Sequence, residues 1–248
     1  MDLGIAGRRA AVAAASAGLG LGAARALAAE GVHVALCGRD RSRIEAAAAS
    51  IGEGSVPLVA DVGTAEGARG FVAAARDALG GLDILVCNAG GPPPGSFAST
   101  DIAAYEEALS LNLLSTVAMC REGVPEMQER GWGRVVAITS LGVRQPFAQL
   151  MASVTARAGV TGFLKVLARE VAKDGVTVNS LQPGFHDTDR VRQITGGNLE
   201  GFASQVPAGF IGSADDFGGV AAFLCSEQAR FLTGCGIHVD GGAYAALL

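Results

Sequence analysis

The sequence predicts an α/β fold built on a parallel, doubly wound sheet, and three observations carry that expectation. Short apolar runs rich in β-branched residues recur along the 248 residues. A stretch of helical spacing or helix-forming composition follows nearly every one of them. The first run, around Ala11-Val12, passes through a Gly-bearing turn directly into an Ala- and Leu-rich helix, which is the beginning of a strand-helix-strand unit.

Taken in order, the turn after the first strand is Ser16-Ala17-Gly18-Leu19-Gly20, and residues 23–30 continue it as a helix. Gly18 and Gly20 let the backbone approach a ligand closely, and the helix start offers free N–H groups and a positive dipole end to an anion. Residues 32–37 form the second strand, and 41–51 a helix with Ile44 as its main core residue. Residues 55–60 form the third strand, 64–79 a helix, and 82–87 the fourth strand, which stops at Asn88-Ala89-Gly90-Gly91. Pro92-Pro93-Pro94 then imposes a stiff, extended loop. A long helical region spans 101–129, with Pro125 expected to kink it or start a new segment. After a fifth strand at 133–140, residues 152–173 place Val160, Phe163, Leu164, Leu167 and Val171 at helical spacing with one buried side. A sixth strand at 176–181 ends in Gln182-Pro183-Gly184; a polar, Gly-rich region at 187–204, a helix at 214–226 and a last strand at 236–239 complete the chain. No repeat or linker divides it, so one Rossmann-type domain over 1–248 is expected, with a substrate loop near 186–210.

Composition narrows the function. Half the residues are apolar and the formal net charge is −5, without the basic patch that nucleic acid requires. The five cysteines show no CxxC spacing, so neither a metal site nor a disulfide is expected. No signal sequence or membrane span is apparent. The expectation is a soluble, cytoplasmic protein acting on a small molecule.

In doubly wound sheets ligands bind beyond the carboxyl ends of the strands. That places Ser16 to Gly20, Arg39, Asp61-Val62, Asn88 to Gly91, Ser140 and Pro183 to Thr188 around the site. An acidic residue at the end of the second strand would grip the ribose diol of NAD, whereas a cation there pairs with the 2′-phosphate of NADP. Gly38-Arg39 therefore points to NADPH/NADP; the alternative is that Arg39 is one of the solvated charges in Arg39-Asp40-Arg41-Ser42-Arg43.

Together these pieces resemble the short-chain dehydrogenase/reductase family over essentially the whole chain. The matching positions are Gly18-Leu19-Gly20, Asp61-Val62, Asn88-Ala89-Gly90, Asn112, Ser140, Pro183-Gly184 with Thr188, and Val239-Asp240-Gly241-Gly242. The resemblance implies a seven-stranded parallel sheet flanked by helices and a ketoreductase-like activity. It places the phosphates at Ser16, Ala17, Gly18, Leu19 and Gly20, the adenine at Asp61 and Val62, and further cofactor contacts at Asn88, Ala89, Gly90, Pro183, Gly184 and Thr188. It implies catalytic roles for Asn112 and Ser140. It also implies a homo-oligomer, a tetramer or dimer, joined through the long helices at 101–129 and 152–173.

The departures bear on chemistry. Ala14 stands where the family has the first Gly of the turn. Counting thirteen residues from Ser140 gives Ser153 in place of the catalytic Tyr, and four further gives Arg157 in place of the Lys. Residues at i and i+4 share a helix face, so both point to the nucleotide pocket. Arg157 can hold the ribose and favour hydride delivery but does not relay protons. Ser153 is a much poorer acid than a phenol of pKa about 10, and its alternative role is to fill space. His186 can donate a proton near neutral pH; its alternative is a partly exposed loop His bonded to Asp187 or Asp189. Two function classes follow: an NADPH-dependent reductase of a mainly apolar carbonyl compound with a weakened or relocated proton donor, or a non-redox protein of the same fold, such as a dehydratase, isomerase or binding subunit.

Overall fold

The computed structural model describes residues 2–247. Seven strands form one sheet: β1 (Arg9–Val12), β2 (His33–Gly38), β3 (Val56–Val59), β4 (Ile84–Cys87), β5 (Gly133–Ile138), β6 (Val176–Pro183) and β7 (Gly236–Val239). Every pairing is parallel, in the order β3-β2-β1-β4-β5-β6-β7. The chain starts in the middle at β1, winds outward to β3, and crosses back to β4. The order therefore reverses between β1 and β4, where Ala11 faces Ala35 on one side and Leu85 on the other. At that point the loops after the strands part and leave a crevice.

The central strands are apolar on both faces because helices cover both. Ala11, Leu85 and Val135 look into one core, shared with Phe71 and Val72 of α3 (Ala65–Leu79), Met119 and Met127 of α5 (Ser115–Glu129), and Val160 and Leu164 of α6 (Met151–Val171). Val12, Val86 and Val136 look into the other, with Leu27 of α1 (Gly18–Ala29), Ile44 of α2 (Arg41–Ile51) and Phe217 of α9 (Ala214–Cys225). Helices α1 and α9 meet backbone to backbone: a Cβ on Gly22 would strike the Ala214 carbonyl, and one on Gly218 the Gly22 carbonyl. Asp83 anchors the opposite end of the sheet from the crevice, accepting from Arg9 Nε at 2.8 Å and lying 3.3 Å from Arg130 Nη2. Burial alone would raise its carboxyl, but the Arg9 and Arg130 guanidinium groups hold it below the usual carboxylate range.

The long helical region is built differently from expectation. Helix α4 (Ile102–Ala108) passes into a π turn over Leu109–Leu114 and then into α5. Pro125 starts no new segment; α5 runs through it. It lies on the exposed face, where the carbonyl its missing N–H leaves free is turned to solvent, while Val124 and Met127 stay buried. The substrate loop expected near 186–210 holds two short helices, α7 (Asp189–Ile194) and α8 (Leu199–Ala203), capped by the side chains of Thr188 and Asn198. The fifth strand stops at Ile138, two residues short of Ser140. Four cysteines are buried and Cys235 is exposed. No helix among the described residues is long and apolar enough to cross a membrane.

Candidate active site

Two cavities of about 330 Å³ each open above the crevice and share Ala14, Gly90 and Gly91 as common walls. One is lined by Ser16, Arg39, Asp61 and Val62. The other takes Ala17, Gly18, Leu19, Asn88, Ala89, Ser140, Ser153, Arg157, Pro183, Gly184, His186 and Thr188. Most of the residues the sequence singled out thus converge on two adjoining cavities.

The turn after β1 shapes the shared wall. Ala14 has φ 47°, a left-handed conformation unusual for a residue with a Cβ. Asn88, just beyond β4, donates from Nδ2 to the carbonyls of Ala13 at 3.2 Å and Ala14 at 3.1 Å, tying the turn to the neighbouring strand. Gly20 lines neither cavity, contrary to its expected place beside the ligand. Its hydrogen faces the Ala14 carbonyl and Asn88 Nδ2, each 2.8 Å from where a Cβ would sit. Gly18, at φ 58°, meets the Thr188 methyl, which brings the start of α7 over the turn.

Asn112 is also displaced from its expected role. It is buried in the π turn and donates from Nδ2 to the Gly90 carbonyl at 2.9 Å, behind the groove wall. Its Oδ1 is buried without a partner. The geometry makes it a positioning residue for the Asn88-Ala89-Gly90 segment.

Ser140 caps the short turn after β5, its Oγ accepting from the Gly142 N–H at 3.0 Å. Ser153 is buried on the sheet-facing side of α6. One turn on, Arg157 sends Nη1 to the carbonyls of both Ile138 and Thr139, each at 2.9 Å, bracing the strand end that carries Ser140. Burial, and secondarily the nearby positive charge of Arg190, lower its guanidinium to about 10, so it is still charged at neutral pH.

His186 fits neither sequence expectation. It is buried, with Nδ1 3.3 Å from the Gly184 carbonyl and its ring edge-on to Phe217 at 5.3 Å between centroids. Burial pushes its pKa below the ordinary histidine value, which favours the neutral imidazole over the imidazolium. Nor is it a loop His on Asp187 or Asp189: Asp187 is bound by Arg192 at 2.6 Å, and Asp189 lies 3.9 Å from Arg43.

Sequence reasoning missed Arg190. On α7 it enters the second cavity, donates from Nη2 to the Pro92 carbonyl at 2.6 Å, and lies against Gly91. An arginine two residues past the Thr that follows Pro183-Gly184 was the available signal. Phe147, Leu150, Phe185 and Val191 make the apolar wall, Phe185 packing against Phe147 and edge-on to Phe202. Phe97 lines neither cavity and is 83% exposed. Among the described residues no group of His, Cys, Asp and Glu is placed to hold a metal ion.

Comparison with known proteins agrees with this arrangement. A family model described as enoyl-(acyl carrier protein) reductase matches residues 13–244. The chain is 35% identical to dehydrogenase/reductase SDR family member 4 of Sus scrofa, over 90% of this chain and 82% of the relative. It is 31% identical to the 3-oxoacyl-[acyl-carrier-protein] reductase FabG of Escherichia coli, over 96% and 98%. Among solved structures, L-sorbose reductase from Gluconobacter frateurii, complexed with NADPH and L-sorbose, superimposes with a TM-score of 0.93 at 32% identity and full coverage of both chains. An actinorhodin polyketide ketoreductase variant with NADPH gives 0.90 at 28% identity, over 96% of this chain and 97% of that one. With its seven-stranded parallel sheet and a groove at the β1/β4 crossover, the chain belongs to the short-chain dehydrogenase/reductase family and is ketoreductase-like.

Proposed function

We propose that this chain is an NADPH-dependent carbonyl reductase with Ser153 and Arg157 in the places of the usual Tyr and Lys. The observation that carries this reading is the pair of adjoining cavities at the strand ends, Arg39 lining one and Ser140, Ser153 and Arg157 the other. Relatives of the same fold were crystallised with NADPH, which supports the choice of cofactor.

The residues present fit such a dinucleotide. Arg39 would pair with the 2′-phosphate, and Ser16, Asp61 and Val62 would border the adenosine. Ala17, Gly18 and Leu19 offer the N-terminal amides of α1 to the diphosphate, and Thr188 closes over Gly18. Ala89 and Gly90 would floor the nicotinamide half; Pro183 and Gly184 would meet its carboxamide, and Arg157 its ribose. The one misfit is Ala14, whose methyl narrows the turn.

When bound, NADPH supplies a hydride to a carbonyl carbon. Ser140 and Ser153 then hold the carbonyl oxygen by hydrogen bonds, and the Arg157 charge stabilises the negative charge that develops there. That oxygen must take a proton as its C–O double bond becomes single. A serine hydroxyl and water are acids of similar weakness, so acidity does not separate them; water entering the groove is the donor because it exchanges with solvent, gives the oxygen its proton while ordered by the two serines, and leaves as hydroxide. The Phe and Leu wall favours a mainly apolar substrate body. Exposed Ile102, Leu114 and Val166 on the long helices support association into a dimer or tetramer.

Titration with NADPH and NADH, set beside NADPH consumption with a panel of ketones, tests this reading. A second reading is favoured by one observation, the serine in place of the phenol. Tight NADPH binding without turnover of any ketone would establish that non-redox alternative.

A further inference from the structure

The cavity beyond β5 and β6 holds two cations that, among the described residues, no anion answers. Arg157 and Arg190 line the same cavity. Among the described residues neither forms an ion pair, whereas Arg9, Arg43, Arg134 and Arg192 each have a carboxylate within 4 Å. The one lining carboxylate, Asp189, is 85% exposed and faces Arg43. Arg190 meets only neutral acceptors, the Pro92 carbonyl at 2.6 Å and Gln193 Oε1 at 3.5 Å. Arg157 likewise spends Nη1 on two backbone carbonyls. Holding two like charges in a partly dehydrated cavity costs stability unless a ligand of opposite sign enters. Burial lowers the pKa of both groups, which is the signature of that cost.

We infer that the substrate is an oxo acid: a mainly apolar body bearing the reducible carbonyl and a carboxylate, which Arg190 receives with support from Arg157. Guanidinium suits this task because its planar fork of donors matches a carboxylate. The neighbouring Phe147, Leu150, Phe185 and Val191 would take the apolar body and strengthen the ion pair by excluding water. Arg190 sits on a six-residue helix that already crosses to Pro92, so the carboxylate would replace a neutral carbonyl with a charged partner and draw α7 onto the bound substrate. The proposal rests on the reductase reading and supplies its substrate class. The other source of anionic oxygen in the groove is the cofactor diphosphate, and the experiment separates the two.

Benzoylformate and levulinate are each compared with their methyl esters as substrates, using native protein, Arg190→Gln and Arg190→Lys. In parallel, benzoate and benzamide are titrated calorimetrically into NADPH-saturated protein. The expected result is a preference of about tenfold or more in kcat/KM for acid over ester. It should fall to within about twofold in Arg190→Gln and survive in part in Arg190→Lys. Benzoate should bind native protein, bind Arg190→Gln much more weakly, and outcompete benzamide. Esters reduced as well as acids by native protein would overturn the proposal. So would an acid preference that persists in Arg190→Gln, or a variant that loses NADPH affinity with an unchanged acid-to-ester ratio, which assigns Arg190 to the diphosphate. Arginine-dependent benzoate binding with no turnover of acid or ester leaves the anion site standing and defeats the reductase reading instead.

Discussion

Asn88 donates to the carbonyl of Ala14 at 3.1 Å, and Ala14 is held at φ 47°. The hydrogen bond and the strained residue belong together: the amide fixes a turn that the Ala side chain disfavours, and the strain is offset by a bond from the adjacent strand. The turn after β1 is therefore braced from the residue that follows β4 as well as by its own glycines.

Replacing Ala14 with Gly should raise stability by about 1 kcal/mol, because the left-handed conformation no longer costs a Cβ clash. Part of that gain is lost to the freer unfolded chain. The same change should tighten NADPH binding by opening the turn. Chemical denaturation and a cofactor titration check both; a destabilised Ala14→Gly protein would refute the account of strain.

Arg39 lines the same cavity as Asp61 and Ser16, where the 2′-phosphate of NADPH is proposed to lie. Arg39→Ala should weaken NADPH binding by about tenfold, the value of a charge-assisted contact to phosphate, and leave NADH affinity within about twofold. Fluorescence titration of both cofactors decides it, and a parallel loss of both would return Arg39 to the solvated charge run.

Ser140 and Ser153 should differ in what they cost. If both only order water and the carbonyl, Ser140→Ala should lower kcat on the order of a hundredfold and Ser153→Ala about tenfold. Neither variant should shift the pH profile of kcat, since no titrating donor is lost. A pH-dependent collapse confined to Ser153→Ala would make Ser153 the acid.

His186 gives a signed pH effect on stability. Its folded pKa lies below its unfolded value of about 6.5, so the unfolded chain binds the proton more readily. The stability from burying the neutral ring is therefore complete above about pH 6.5 and declines as pH falls towards the folded pKa. Unfolding free energies of native protein and His186→Gln, measured from neutral to mildly acidic pH, should converge on acidification. Parallel curves would mean that the ring is not held neutral by the fold.

How far the sequence was legible depended on what each residue's state rests upon. Strand positions followed from apolar runs such as Val34 to Cys37, because burial on both faces leaves an unmistakable pattern. Arg41–Ile51 was placed to the residue, its start set by the Asp40 cap. The groove residues at the strand ends were found because doubly wound topology collects them. Arg190 was missed because its meaning lies in what is absent nearby, and only the folded chain shows that, among the described residues, no carboxylate pairs with it. His186 was misjudged because its burial depends on Phe217 and Gly212, distant in sequence. Pro125 was overweighted because its helix gets its stability from the opposite face.

The π turn at Leu109–Leu114 widens the long helix locally. The Ser115 amide reaches the carbonyl of Ser110, five residues back, so this turn carries one residue more than an α-helix would use. Each residue of an α-helix advances the face by about 100°, and the wider turn absorbs its extra residue locally, so the helix on either side keeps its phase. Removing one residue here would let the segment close into an ordinary α-helix with Met119, Val124 and Met127 still facing the core, but would flatten the bulge that carries Asn112 towards Gly90. A substitution across this segment alters one contact at a time; a single-codon deletion would erase the local widening and leave the far helix in register.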